Sequence, residues 1–590
     1  MQLTETGVSS QRATWLHTAL FAVAALLGGL FVQNVGGLTL ASIAQAQDGL
    51  KLDADGGSDV AVGESTEPVL VVSIASLNKL MQDINYITAA AGQPQAGGMF
   101  TMMAGGFAQG LDMSKPIGVI VPIIDGAPEP IGMVPTPDIK MMLKRLEAQT
   151  GPVDELDDGT LVVAAGPSLV YIRQSGPWAI VARQKEFLDL APADPMSMME
   201  DLGDNYTLSA LLNVEVIPAD VREALIAQIR EGFQRAMAQQ GQDGEDIQAA
   251  SENSIAQLEQ VIRESKELMF GFDINPEEKI VTMDTKFIAA EGTEMAEMYA
   301  GQTVIPSKFS SVLDDENAMY YHAAASIGTK VIERTRDSID GVKSMISKAI
   351  NDSDDLDDEA KIQVTELADA MMKLVMQTIE EGKFDIGVES TAGDGQIDFA
   401  AGMFVSDGDA AAQLVKDLAA KLAGLPDSPA FAFDEETYEG VKLHSVTIDI
   451  PESEEEVRQV FGPKAIVKIG TAPKAVYIAL SNDSTKSIKS FIDDGSVNDD
   501  PAERPLGQMQ VRLLPYLRFA QSIKANDVVA SMIDTLSQDD ETDYVALEAN
   551  KVENGQTSYF EIGEGVLKAI GAAVREVQMQ QMQQQGGGQF

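Results

Sequence analysis

Few kinds of side chain in this sequence could do chemistry. There is no cysteine, which removes thiolate nucleophiles, Cys-ligated zinc, iron–sulfur clusters and disulfides. Of the three histidines, His17 lies in the N-terminal segment, and His322 and His444 lie in strand-like runs. His444 alternates with Val446, Ile448 and Ile450, the pattern of a packed or edge histidine. A Ser-His-Asp triad would have to use one of these two. The sequence has no G-x-S-x-G elbow, H-E-x-x-H zinc motif, P-loop or G-x-G-x-x-G fingerprint. Carboxylates are the abundant reactive groups, with 91 Asp and Glu. A hydrolase using two of them is open, because such acids need not be close in the chain. Against it, the platforms that stack on sugar rings are scarce: the tryptophans are Trp15 and Trp178.

Two acidic stretches offer oxygen ligands of the kind calcium takes. In the first, Asp53, Asp55 and Asp59 precede Glu64 at the closing position, but Gly57 replaces a ligand and Ser58 replaces the turn glycine. In the second, Asn351–Asp355 is followed by Leu356 at the turn and Ile362 in place of the closing acid. Both read as solvated acidic loops, and no metal or cofactor is assigned. Methionine is frequent, at 27. Met99, Met102, Met103 and Met113 cluster in GGMFTMMAGGFAQGLDM and form the candidate ligand-binding group. Thioethers there could hold copper(I) or give an adaptable apolar surface, or the segment could be a Gly/Ala-rich helix packed closely on a sheet.

The sequence opens with the order of an export signal: a polar stretch with Arg12, an apolar run from Ala19 to Val32, and a small-residue cleavage site at Ala44-Gln45-Ala46. The apolar run is shorter than the ~20 residues of a spanning helix, so cleavage is expected and no transmembrane segment should remain after it. A large exported protein without disulfides suits the periplasm or exterior of a bacterium. The formal net charge is −49, from 42 basic against 91 acidic residues. No basic cluster exists to release counterions from nucleic acid or an anionic membrane, so neither is an expected partner.

Patterns recur in the same order in the two halves. PSLVYIRQSGPWAIVARQKEFLDL (167–190) is echoed by PKAVYIALSNDSTKSIKSFIDD (473–494), and each half closes on a hairpin and a helix. The spacing fits a duplicated domain rather than a solenoid repeat. Short hairpin-like links between strands, with helices between groups of strands, predict an α+β fold. The expected organisation is a signal peptide over 1–46, a flexible leader over 47–66, one domain over 67–301, a linker over 302–317, a second homologous domain over 318–577 and a Gln/Gly-rich tail over 578–590. Each domain should be a mainly antiparallel sheet with helices on one face. A helix should start at Thr136-Pro137-Asp138 and run to about Gln149, and a strand should cover Thr207–Ile217.

The opening strand and helix, the stretch KPIGVIV…EPIGMVPTPDIKMMLKRL (115–146), the acidity, the missing cysteine and the Gln/Gly tail resemble uncharacterised exported proteins of planctomycete-type bacteria. That resemblance is best over the first 190 residues. It implies location and fold class and carries no activity. The expected function is a non-catalytic envelope protein with a binding or scaffolding role, its partner a protein or an apolar ligand. A carrier of a lipid-like molecule and a carboxylate-based hydrolase are the alternatives.

Overall fold

A computed structural model describes residues 65–586, except 166–167, 241–244, 353–357, 394, 424–427, 496–500 and 539. The signal segment, the leader, the first acidic stretch and most of the second therefore lie outside the described residues. The first half runs β1 (Ser65–Ile74), α1 (Leu77–Ala90), α2 (Pro94–Phe107), β2 (Ile117–Ile124), β3 (Ala127–Pro128), β4 (Ile131–Pro135) and α3 (Ile139–Thr150). It continues through β5 (Val153–Glu155), β6 (Leu161–Ala165), β7 (Ser168–Ser175), β8 (Trp178–Ala182), α4 (Met196–Asn205) and β9 (Leu208–Asn213). The half ends with α5 (Ala219–Gln240), α6 (Glu245–Glu264), β10 (Ser265–Asn275), β11 (Ile280–Ala289) and α7 (Glu294–Ala300).

The second half runs β12 (Met319–Ser326), α8 (Thr329–Asp352), α9 (Asp358–Glu380), β13 (Lys383–Gly393), β14 (Gln396–Phe404), α10 (Gly408–Leu422), β15 (Ala430–Tyr438) and β16 (Val441–Asp449). Then come α11 (Glu455–Phe461), β17 (Lys464–Ala472), β18 (Ala475–Leu480), α12 (Ser484–Asp494), β19 (Gly507–Arg512), α13 (Leu513–Ile523) and α14 (Asp527–Leu536). The C-terminal elements are β20 (Tyr544–Val552), β21 (Gly555–Gly563) and α15 (Glu564–Gly586). The fold is α+β with antiparallel pairing throughout its ladders.

The chain divides into two compact units that are not its linear halves. The first unit holds Gly49–Ala296 together with Asn526–Leu547 and Val552–Phe590. The second holds Glu297–Ala525 and Glu548–Lys551, with Met1–Asp48 outside the described residues. The cause is backbone pairing: β21 lies along β11 from Ile280↔Gly563 to Ile288↔Gly555. Ala289 N donates to Asn554 O at one end and Glu564 N to Lys279 O at the other.

In the first unit the strands lie in the order β5–β6–β7–β8–β4–β2–β1–β9–β10–β11–β21. In the second they lie in the order β15–β16–β17–β18–β14–β13–β12–β19. Matching strands by position, β1 with β12 and β9 with β19, the eight strands of the second sheet follow the order of eight in the first.

The centre of each sheet carries a small residue on which a large apolar side chain sits. Gly118 on β2 is cross-strand partner to Ser73 and to Met133. A Cβ there would overlap Met199 of α4, which is fully buried. Gly387 on β13 holds the equivalent place, beside His322 and Gly402. A Cβ on Gly387 would sit 2.5 Å from Phe309 Cβ and 2.7 Å from Phe309 O. Phe309 is 1% exposed and packs with Val312, Leu443, Ile488 and Phe491. Residues 302–317, expected as a linker, thus supply the core of the second unit with its central side chain.

Local signals behave as chemistry predicts, with small displacements. Asp138, not Thr136, caps α3 by accepting from Met141 N, while the Thr136 hydroxyl donates to Gly110 O. The strand expected over Thr207–Ile217 ends at Asn213 and turns into a short 3₁₀ segment at Val214–Val216.

Because neither Phe309 Cβ nor its carbonyl can retreat cheaply, Gly387→Ala should cost about 1–3 kcal/mol by overpacking. Gly98→Ala, whose new methyl would meet nothing within 4 Å on α2, should be neutral or slightly stabilising. Urea denaturation of the two variants, compared with the parent, checks both signs.

Candidate functional site

The methionine cluster is divided by the fold. Met99, Met102 and Met103 lie on one face of α2 and are 56%, 73% and 58% exposed. The opposite face packs on α1: a Cβ at Gly97 would collide with Asn85 and Thr88, and Asn85 Nδ2 donates to Thr101 Oγ1 at 2.8 Å. Small residues and one polar pair bring the helices together, which turns the methionines outward. Met113 is half-buried in the loop before β2, where its carbonyl accepts from Asn78 N. The close packing of this glycine-rich helix is against α1 and not through its methionines.

Helix α15 carries a second exposed apolar row. It meets the end of α1, where a Cβ on Gly571 would collide with Ala91 O and one on Gly92 with the Arg575 guanidinium. Its inner residues Val566, Ala569 and Ala572 are buried, while Ile570, Val574, Val577, Met579 and Met582 are exposed. Ile570, Val574 and Val577 follow the i, i+4, i+7 spacing of one helical stripe. Residues 84–111 contain no Asp, Glu, Lys or Arg, and none follows Glu576, in a chain that is 23% charged. The sequence points to the methionines; the contribution of α15 requires the tertiary fold.

The histidines do different work. Ser307 Oγ donates to Asp385 Oδ1 at 2.6 Å, and His322 Nε2 lies 2.9 Å from Ser307 Oγ. Lys308 N donates to Asp385 Oδ2 and Phe309 N to Ser307 Oγ. With the serine proton directed at Asp385, His322 Nε2 must be the donor in its contact. Arg504 Nη1 faces the other ring nitrogen at 3.5 Å, which favours the neutral Nε2–H form there. A triad needs histidine to accept the serine proton. Here the base position is filled by an aspartate, and all three side chains are buried. The group is a clasp that holds Phe309 over Gly387.

His444 is 1% exposed. Its Nδ1 accepts from Asp434 N at 3.0 Å, and Nε2 lies 3.1 Å from Thr471 Oγ1. Burial lowers its pKa, so the neutral ring supports the β15 irregularity in which Asp434 takes φ +53°.

Two carboxylate groups stand out. In the first unit Asp83 is buried, accepts from Thr207 Oγ1 at 2.6 Å and pairs with Lys79 at 2.9 Å. Lys79 also pairs with Asp273 at 2.9 Å, tying α1 to β10. Nearby, Tyr206 donates to Asp284 at 2.8 Å. Burial is the largest cause holding the Asp284 carboxyl above its ordinary range, and Asp273 adds repulsion. In the second unit, burial pushes Glu389 up to about 7, assisted by the charges of Asp494 and Asp314 and opposed by a hydrogen bond with Asn317. Among the described residues no group of three His, Asp or Glu is arranged to hold a metal. A crevice between α8 and α9, lined by Ile346, Ile350 and Met372, has essentially no room for a water-sized sphere. No helix among the described residues is long and apolar enough to cross a membrane.

Comparison with family models, curated proteins and solved structures gives no match.

Removing Asp385 leaves the buried Ser307 hydroxyl and Lys308 N–H without their acceptor, so Asp385→Ala should destabilise the second unit by about 2–4 kcal/mol. Urea denaturation with a probe in that unit checks it. Glu389 has a folded pKa above its unfolded one. Its contribution is favourable below the unfolded value and is lost as pH rises through about 7. Glu389→Gln should therefore raise the melting temperature at pH 8 and lose that advantage by pH 5, as scanning calorimetry would show.

Proposed function

We propose that this is a non-catalytic exported envelope protein, built of two duplicated α+β units, that binds or scaffolds through the apolar face of α2 and α15. One observation carries the reading: in a strongly acidic chain, Met99, Met102 and Met103 are exposed on α2 within a stretch that has no charged residue, and Ile570, Val574 and Val577 form an exposed apolar stripe on α15. Exposed apolar patches on soluble proteins mark interaction sites. The groups that could do chemistry favour the same reading. His322, Ser307 and Asp385 form a buried clasp, and His444 supports a strand irregularity. The matching order of eight strands in the two sheets supports duplication. The signal-like N-terminus supports export.

A carrier role has weaker support. The crevice between α8 and α9 has essentially no room for a water-sized sphere, against the 300–1,000 Å³ of ordinary ligand pockets. The hydrolase reading would use Glu389 or Asp284, whose carboxyls are held above the ordinary range chiefly by burial, and these are its support.

Native mass spectrometry of protein purified from its own envelope tests the reading. The expected N-terminus is Gln47, and the expected spectrum shows a retained component that Met102→Asp releases. A metal adduct, or a retained component indifferent to Met102→Asp, would contradict it.

A further inference from the structure

We propose that the occupant of the α2/α15 face is the same face of a second copy of this chain, giving a two-fold symmetric dimer; this rests on the binding reading above. Charge selects the occupant. Two bodies of net charge −49 repel each other, so copies can approach best through a surface without charge. Residues 84–111 and those after Glu576 carry no charge, and α15 meets the first of these segments at the Ala91–Gly92 corner between α1 and α2. A bacterial leaflet fits less well, because it is anionic and these segments offer no lysine or arginine after Arg575 to meet it. A cationic protein fits less well, because the segments offer no carboxylate after Glu576 to pair with it.

The exposed rows suit a helix as occupant. Cβ atoms at Gly98, Gly105 and Gly106 would meet nothing within 4 Å, so small residues on either side of the projecting Met102 leave the outer side of α2 open to a close approach. The Ile570, Val574 and Val577 stripe offers a second apolar row, and Met side chains adjust to a partner surface at small cost. A two-fold axis sets the α15 stripe of each copy against α2 of the other, so the interface is isologous. From their fractional exposures, the six apolar side chains present on the order of 600 Å² per copy, about 1,200 Å² for both, at the lower end of specific interfaces.

Sedimentation equilibrium on the full mature chain tests the proposal. The parent should reach twice the monomer mass at micromolar concentration and associate more tightly as salt is raised, since salt screens the repulsion of the acidic bodies. The double variant Met102→Asp, Val574→Asp should weaken the dimer at least ~10-fold, with circular dichroism and melting temperature unchanged because both positions are exposed. Met141→Asp, exposed elsewhere on the first unit, should leave the dimer intact. A parent monomeric up to about 100 µM in high salt, or a double variant that dimerises as the parent does, overturns the proposal. Flotation with neutral phosphatidylcholine vesicles and envelope retention separate the failures. A monomeric parent that either assay captures through Met102 and Val574 overturns the second copy and keeps the binding face. A monomeric parent that neither assay captures overturns both.

Discussion

The structure depends on close approach at the centre of each sheet, where a side chain of almost no size admits one of large size. Gly387 admits Phe309, and Gly118 admits Met199. The apolar clusters of both units gather around these contacts. Because the chain has no disulfide, this packing must offset the repulsion of its excess acids. The Ser307–Asp385–His322 clasp follows from that demand. It satisfies the backbone at Lys308 and Phe309 where the chain dips into the core.

Excess negative charge is the second constraint. Acids outnumber bases 91 to 42, and many are paired with lysine or arginine at exposed positions where a pair is worth little. What the chain does not charge is therefore informative. The apolar outer face of α2 and the stripe on α15 are exposed at a risk of aggregation. The buried Asp83 and the half-buried Glu389 differ in kind. Asp83 is held by Lys79 and Thr207, whereas Glu389 has lost water without gaining a cation.

Much of the architecture was legible because local periodicity agrees with the final environment. The spacing of Leu77, Leu80, Met81, Ile84 and Ile87 marks α1, and the β13–β14 hairpin follows from its glycine turn. The helix expected from Thr136-Pro137-Asp138 to about Gln149 appears as Ile139–Thr150. What escaped the sequence involves long-range choices. The pairing of β21 with β11 moves the C-terminal elements into the first unit, and no local pattern encodes that partner. Residues 302–317 lack periodicity because their task is one contact, Phe309 on Gly387, held by a distant aspartate. The candidate site was legible in part: Met99, Met102 and Met103 carried the signal, Met113 did not belong with them, and α15 joined only through tertiary packing.

The central claim is that this molecule works through the uncharged face of α2 and α15, with its reactive groups serving the fold. Hydrogen–deuterium exchange, comparing the purified chain at high dilution with the same chain in extract of its own envelope, addresses it directly. The account predicts added protection over 94–107 and 564–586, with β13 and the α8–α9 crevice unchanged. Protection appearing around Glu389 or in that crevice, with α2 and α15 exchanging freely, would contradict it.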